Sequence, residues 1–190
     1  MRIGVLAVQG AVSEHIEILG KCGARGVPVK RKEDFKELQG LIIPGGESTT
    51  IGRLINTFKL DREIIKMARE GRPVYGTCAG MILMAAEIEG EKPHLKLMDI
   101  SVLRNAYGRQ SESFEADLRV SLWEDKPFKG VFIRAPLVVR AGPDVEILSR
   151  FEGKITAVRQ GNLLATSFHP ELTEDERFHR LLMETAAGKT

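Results

Sequence analysis

The stretch that most restricts what this chain can fold into runs from Pro73 to Met81 and reads P-V-Y-G-T-C-A-G-M. A short apolar run, Pro73 to Tyr75, meets a turn of small residues that contains one cysteine. A helical pattern begins at once. Strand, sharp turn and helix with a nucleophile at the turn make a nucleophile elbow. Gly76 and Gly80 stand two residues either side of Cys78 and remove Cβ atoms where a tight turn would clash. A thiol there projects from the carboxyl end of a strand at a helix N-terminus, where the dipole and the free N–H groups favour negative charge. The competing reading is a buried structural cysteine, a common fate of free thiols.

An elbow of this kind needs a parallel sheet around it, and the N-terminal half supplies one. Arg2 to Val8 is apolar on both faces, the mark of a strand inside a parallel sheet. Val12 to Leu19 carries Val12, Ile16 and Leu19 at helical spacing, with Gly23 as a C-cap. Val27 to Lys30 is a strand near an edge, given Pro28. Leu38 to Pro44 holds a third, buried strand. A helix with Ile51, Leu54, Ile55 and Phe58, and another from about Leu60 to Glu70, lead into the elbow strand Val74 to Gly76. The block Met81 to Ala86 continues the elbow as a buried helix. The order is that of a doubly wound α/β fold, a mostly parallel central sheet with helices on both faces.

From Leu97 the pattern changes to short apolar runs separated by turns. They are Leu97–Leu103, Phe114–Leu122, Gly130–Ile133, Leu137–Val139, Val145–Leu148, Ile155–Val158 and Leu163–Phe168. These predict antiparallel strands that extend the sheet or lie beside it. Glu174 to Ala186 predicts a closing amphipathic helix. With 190 residues, no repeat and no long linker, residues 1–190 read as one domain.

A nucleophilic cysteine needs a base, and the base needs an orienting group. Of the histidines, His15, His94 and His179 read as surface or packing residues. His169 follows the run Leu163–Phe168 and precedes Pro170 and Glu171. On an extended segment residues two apart face one side, so His169 and Glu171 can pair. Coincidence at a strand end is the alternative reading of that triplet. The backbone N–H of Ala79 is one natural oxyanion donor. Gly45-Gly46 is the source expected for a second, because glycine lets N–H groups approach a ligand closely. Gly45 to Thr50 also admits a phosphate cradle, although it lacks a P-loop lysine, or a plain helix start capped by Ser48 or Thr49.

No metal signature is present, and Cys22 reads as a structural thiol. A net charge of +2 with both signs interspersed gives no footprint for nucleic acid and no polybasic membrane patch. Two cysteines do not make a disulfide framework, and no run reaches the ~20 apolar residues of a membrane helix. A reducing, cytoplasmic location is expected.

Taken together, Gly76-Thr77-Cys78-Ala79-Gly80 and Phe168-His169-Pro170-Glu171 resemble the class I, triad-type glutamine amidotransferases. Further blocks narrow the match: Val8 to Val12, Pro44 to Thr50, Arg104 to Gln110, Phe132 to Pro136 and Phe168 to Thr173. These resemble the glutaminase subunit of pyridoxal 5′-phosphate synthase over nearly the whole chain. The resemblance implies a three-layer, flavodoxin-like fold and hydrolysis of L-glutamine by a Cys78–His169–Glu171 triad, with no cofactor. It also implies an oxyanion hole at Gly46 and Ala79, and a glutamine site lined by Gly46, Glu47, Ser48, Arg104, Ile133 and Arg134. Chemically, Arg104 suits the substrate α-carboxylate and Glu47 its ammonium. The partner implied is the synthase subunit, in an assembly of twelve copies of each, with Gln9 taking part in activation on docking. Without the resemblance, Arg104 and Arg134 read as solvated surface charge. The glutaminase of another biosynthetic amidotransferase is the alternative function, and a non-catalytic binding protein on the same fold is the alternative of another class.

Overall fold

A computed structural model describes residues 1–104, 113–123 and 125–189. The chain begins with strand β1 (Arg2–Leu6), helix α1 (Val12–Lys21), edge strand β2 (Arg25–Val29) and strand β3 (Gly40–Ile43), with a 3-10 turn at Lys32–Phe35. Helices α2 (Ser48–Thr57) and α3 (Asp61–Arg69) lead to β4 (Val74–Thr77) and the short helix α4 (Ala79–Met84). Then come β5 (Ala85–Ile88), β6 (Met98–Leu103), β7 (Ser113–Leu118), β8 (Phe128–Ile133), β9 (Leu137–Ala141), β10 (Glu146–Phe151), β11 (Lys154–Gln160) and β12 (Leu163–Thr166). Helix α5 (Arg177–Ala186) closes the chain.

The main sheet runs in the order β2-β1-β3-β4-β12-β11-β9-β6-β5, with β10 paired to β11. From β2 to β12 every pairing is parallel. Beyond β12 the strands turn antiparallel through β11, β9 and β6, while β5 adds in parallel to β6. β7 and β8 form a separate antiparallel pair. The C-terminal runs therefore do both things the sequence allows: most extend the sheet and two lie beside it.

Alternation along the parallel strands divides the core in two. Leu41 and Ile43 of β3, Val74 of β4, and Leu163 and Ala165 of β12 face one layer, with Ile51, Ile55, Ile64 and Met81. Ile42, Tyr75 and Leu164 face the other, with Leu19, Phe168, Phe178, Leu181 and the aromatic residues of β8. Strands buried on both faces carry no polar side, which is why they read as continuous apolar runs. Thr77 lies two residues after Tyr75, so its side chain enters the layer of α1 and α5. That parity matters for the site.

Three local expectations need correction. Ala85 and Ala86 leave the helix: Ala85 is extended at φ −62° and ψ 143° and begins β5. Pairing with β6 overrides the helix propensity of alanine. The last helix starts at Arg177 rather than Glu174, because Thr173 and Asp175 accept backbone N–H groups ahead of it. His169 and Glu171 do not lie on an extended segment, since Pro170–Leu172 is a 3-10 turn. Among the described residues no helix is long and apolar enough to cross a membrane.

Candidate active site

The elbow forms as its glycines require. Cys78 sits at φ 48° and ψ −103° between β4 and α4, a backbone conformation that costs about 1–3 kcal/mol for a non-glycine residue. It is held there because its N–H donates to the Thr166 carbonyl at 2.8 Å. A Cβ at Gly80 would strike the carbonyl oxygen of Ile43, and one at Gly76 would strike the backbone of Gly80. The small residues either side of the cysteine let α4 close onto the strand ends, and the thiol sulfur lies 3.8 Å from the Ile133 carbonyl oxygen.

His169 arrives from the end of the neighbouring strand. Its N–H donates to the Val131 carbonyl of β8 at 2.8 Å, so the antiparallel pair beside the sheet fixes its backbone. Its Nδ1 is 2.7 Å from Glu171 Oε1. Burial pushes the imidazole pKa down, but hydrogen bonds with Cys78 and Glu171 and the carboxylate charge outweigh it and hold the pKa up at about 10. Glu171 is buried. Desolvation opposes its charge, yet His15 and His169 keep its pKa below the usual carboxylate value. A charged carboxylate behind an imidazole that also hydrogen-bonds a thiol is an arrangement that can serve as nucleophile, base and orienter.

The Gly45–Gly46 turn closes the site from β3. A Cβ at Gly45 would meet the His169 ring, so glycine there lets the imidazole lie against the backbone. The Gly45 N–H donates to Thr77 Oγ1 at 3.0 Å, and its carbonyl accepts the Ala11 N–H at 3.1 Å. The peptide that carries the Gly46 N–H is thereby fixed, with that N–H opposite the carbonyl. Ala79 is the first residue of α4, where an N–H has no partner inside the helix.

A cavity of about 270 Å³ is lined by Gln9, Gly46, Glu47, Ser48, Cys78, Ala79, Ile82, Arg104, Ile133, Arg134 and His169. Every residue that the resemblance assigns to the triad, the oxyanion hole, the glutamine site or activation lines it except Glu171, which stands behind His169, and Ile82 joins them. A larger cavity of about 590 Å³ opens at Glu115, Lys129, Leu172 and Arg177. Neither Cys78 nor His169 lines it.

Residues 5–187 match the SNO glutamine amidotransferase family. The chain belongs to that family. It is 55% identical over 185 residues to the pyridoxal 5′-phosphate synthase subunit PdxT of Pelotomaculum thermopropionicum, covering 97% of this chain and 94% of that one. Against the protein of the same name from Bacillus licheniformis it is 53% identical, with 97% and 94% covered. A crystal structure described as a glutamine amidotransferase superposes with a TM-score of 0.93 at 49% identity, covering 97% of this chain and 98% of that one. The PurLQS structure from Thermotoga maritima, at 16% identity and a TM-score of 0.72 over 98% and 97% of the two chains, shares the fold.

Within this SNO-family chain two expected roles take a different form. Helix α2 is capped by Glu47 rather than by Ser48 or Thr49: its carboxylate accepts the N–H groups of Thr49 at 3.1 Å and Thr50 at 2.7 Å. A hydrogen bond from Thr50 is the largest influence, burial opposes it, and with the further hydrogen bonds from Thr50 and Thr49 the Glu47 pKa falls to about 2. Arg104 is not a free surface charge. It bonds Glu91 through Nη1 at 2.7 Å and 2.9 Å, Thr49 Oγ1 at 3.1 Å, and Glu47 through Nη2 at 3.3 Å. The rest of the Arg104–Gln110 block lies outside the described residues. Gln9 is built into the pocket wall, its Oε1 accepting the Glu47 N–H at 2.9 Å.

The sequence reading missed Glu91, Thr77, His15 and His179. His15 and His179 are both fully buried. The available signal was spacing: His15 lies three and four residues before Ile18 and Leu19, the buried stripe of α1. Cys22 behaves as expected of a structural thiol, its pKa pushed to about 11 by burial and then by Glu176.

Proposed function

We propose that this chain is the glutaminase subunit of pyridoxal 5′-phosphate synthase, acting in the cytosol as one domain. It hydrolyses L-glutamine to L-glutamate and passes the ammonia to the synthase subunit. The observation that carries the reading is one cavity holding Cys78 in a strained elbow beside His169, with Glu171 at 2.7 Å behind it. Relatives about half identical over nearly their full length bear the name of that subunit.

In this reading the Cys78 thiol gives its proton to His169 and the sulfur attacks the carboxamide carbon of glutamine. The N–H groups of Gly46 and Ala79 hold the oxyanion, each worth about 3 kcal/mol in comparable sites. His169 gives its proton to the departing ammonia, leaving a γ-glutamyl thioester on Cys78. The imidazole then takes a proton from water, which attacks the thioester, and returns that proton to the leaving sulfur, releasing glutamate and the thiol. Glu171 keeps the imidazole oriented throughout. Arg104 and Glu47, which meet at the cavity wall, bind the α-carboxylate and the ammonium of glutamine. Ser48, Ile133 and Arg134 complete the wall.

Gln9 supports the coupling to a partner. The residue expected at the docking face bonds the same loop that carries Gly46 and Glu47, so a partner that moves Gln9 moves the oxyanion turn. The test is ammonia release from glutamine with and without the synthase subunit, for the wild type and Cys78→Ala. Release that needs both the partner and Cys78 supports the reading. Release that survives Cys78→Ala, or that responds only to another amidotransferase's synthase, would overturn it.

A further inference from the structure

Behind the triad lies a buried polar chain that the mechanism above does not use. Glu171 Oε2 is buried without a hydrogen-bond partner among the described residues. The polar group that faces it is His15 Nε2 at 3.5 Å. The same nitrogen is 3.3 Å from Thr77 Oγ1, the oxygen that accepts the Gly45 N–H. On its other side His15 Nδ1 is 2.9 Å from His179 Nε2. One imidazole thus stands between the triad carboxylate and the glycine turn.

The proton positions follow from the unpaired atom at the far end. His179 Nδ1 is buried and has no partner among the described residues. A buried N–H without an acceptor is rarer than a carbonyl or ring lone pair without a donor. His179 therefore carries its proton on Nε2 and donates it to His15 Nδ1. His15 then carries its own proton on Nε2, aimed at Glu171 and Thr77. Burial, ahead of every neighbouring charge, lowers the pKa of both rings, that of His179 to about 3. Both are neutral at neutral pH, so the contact with Glu171 is an N–H facing a carboxylate rather than an ion pair. The groups around His15 are Glu171 and His169 from the turn after β12, His179 from α5, Thr77 from β4, and Glu14 on its own helix. Tyr75 packs edge-on against His179.

We propose that His15 is a positioning residue: its Nε2–H joins the outer oxygen of Glu171 to the hydroxyl that holds Gly45, so one side chain sets both the triad carboxylate and the oxyanion turn. The inference rests on the glutaminase reading above. Turning the Glu171 carboxylate by losing this contact turns the His169 ring with it. Releasing Thr77 loosens the peptide that carries the Gly46 N–H. Both effects weaken the transition state more than the bound substrate.

The test uses two amide variants in the complex with the synthase subunit. Gln at position 15 carries an amide N–H to the place of Nε2, whereas Asn reaches only the place of Nδ1. His15→Asn should lower kcat about ten- to a hundredfold with KM changed little, the scale of a small misalignment. Its acid limb of kcat/KM should move up by about half a pH unit, because Glu171 has lost a donor to its charged form. His15→Gln should recover most of kcat and return the limb. Equal losses in both variants with an unmoved limb would overturn the proposal in favour of packing alone. If both variants fail to fold, Thr77→Val, equal in shape, decides: a wild-type kcat sinks the proposal and a lowered kcat at constant KM supports it. If the wild type releases no ammonia with its partner, the glutaminase reading fails by itself. The 15N shifts of the His15 ring then judge the arrangement, with protonation at Nε2 supporting it and at Nδ1 overturning it.

Discussion

Nδ1 of His169 lies 2.7 Å from Oε1 of Glu171, and the two residues are joined across the first residue of a 3-10 turn. The turn, not an extended strand, brings the carboxylate under the ring. Pro170 suits that place because a proline at the start of a helical turn has no N–H to leave unpaired. Replacing Glu171 by Gln keeps the shape and removes the charge. We expect kcat to fall about 100-fold or more, as for loss of an acid–base partner, with KM changed little. A Glu171→Gln enzyme with wild-type kcat in the partnered ammonia assay would remove Glu171 from the triad.

The pair was legible because a histidine and a carboxylate two residues apart meet in most local conformations; its geometry was not, because extended and 3-10 paths share that spacing. The elbow was legible for a stronger reason. Gly76, Cys78 and Gly80 act on backbone atoms within five residues of one another, apart from the close approach to Ile43. That the N-terminal strands sit inside a parallel sheet followed from their apolar runs; their order across it, with β12 beside β4, did not. His15, Thr77 and His179 were not legible, since their partners lie 62 and 164 positions away and nothing local marks a buried histidine as polar-bonded rather than solvated. Glu47 was assigned to substrate and Ser48 or Thr49 to the cap. A glutamate caps less often than serine or threonine, and only the fold shows its oxygens turned back onto α2.

That double duty of Glu47 separates two effects. Glu47→Ala should destabilise the protein by about 1 kcal/mol through loss of the cap and also raise the KM for glutamine. Glu47→Ser restores a capping oxygen but not the negative charge. Urea unfolding should then show recovered stability while KM stays high. If KM recovers along with stability, Glu47 acts on the pocket through the helix alone.

Arg104 is shared between Glu91 and the pocket. In Arg104→Ala the KM should rise about tenfold or more, the worth of a charge-assisted hydrogen bond, while kcat changes far less. Glu91→Gln leaves Arg104 in place and removes the carboxylate that, in the proposed reading, would compete with the substrate for it. Its KM should fall or hold steady. A Glu91→Gln enzyme with a KM as high as that of Arg104→Ala would mean that Glu91 is needed to aim the guanidinium.

The buried imidazoles set opposite slopes of stability against pH. His179 stays neutral in the fold down to about pH 3, whereas an unfolded histidine takes a proton near its reference value of about 6.5. The unfolded chain therefore binds more protons between those values, and stability falls as pH drops through that window. His169 does the reverse. With its folded pKa raised to about 10, its contribution is complete below about 6.5 and is lost as pH rises to about 10. Urea midpoints measured from pH 4 to pH 9 should show both slopes, and His179→Leu should reduce only the acid one, to which His15, also lowered by burial, contributes the remainder. A His179→Leu protein that keeps the full acid slope would place that protonation elsewhere.

Gly45 leaves no room for a side chain. A Cβ there would run into the His169 ring at Cε1 and lie 3.4 Å from Cβ of Cys78. The obstacle is a side chain rather than backbone, so the fold can survive Gly45→Ala while the imidazole cannot keep its place. The ring must rotate away, and its hydrogen bond to Glu171 Oε1 lengthens or breaks. Stability should change by no more than about 1–3 kcal/mol, the usual range for overpacking. The kcat should fall about 100-fold, the effect of a displacement near 1 Å at a reacting group. Alkylation of Cys78 by a glutamine-like electrophile, which depends on the same imidazole, should slow in parallel. If labelling and turnover both stay at wild-type rates, the His169 ring does not rest on Gly45 in the working enzyme.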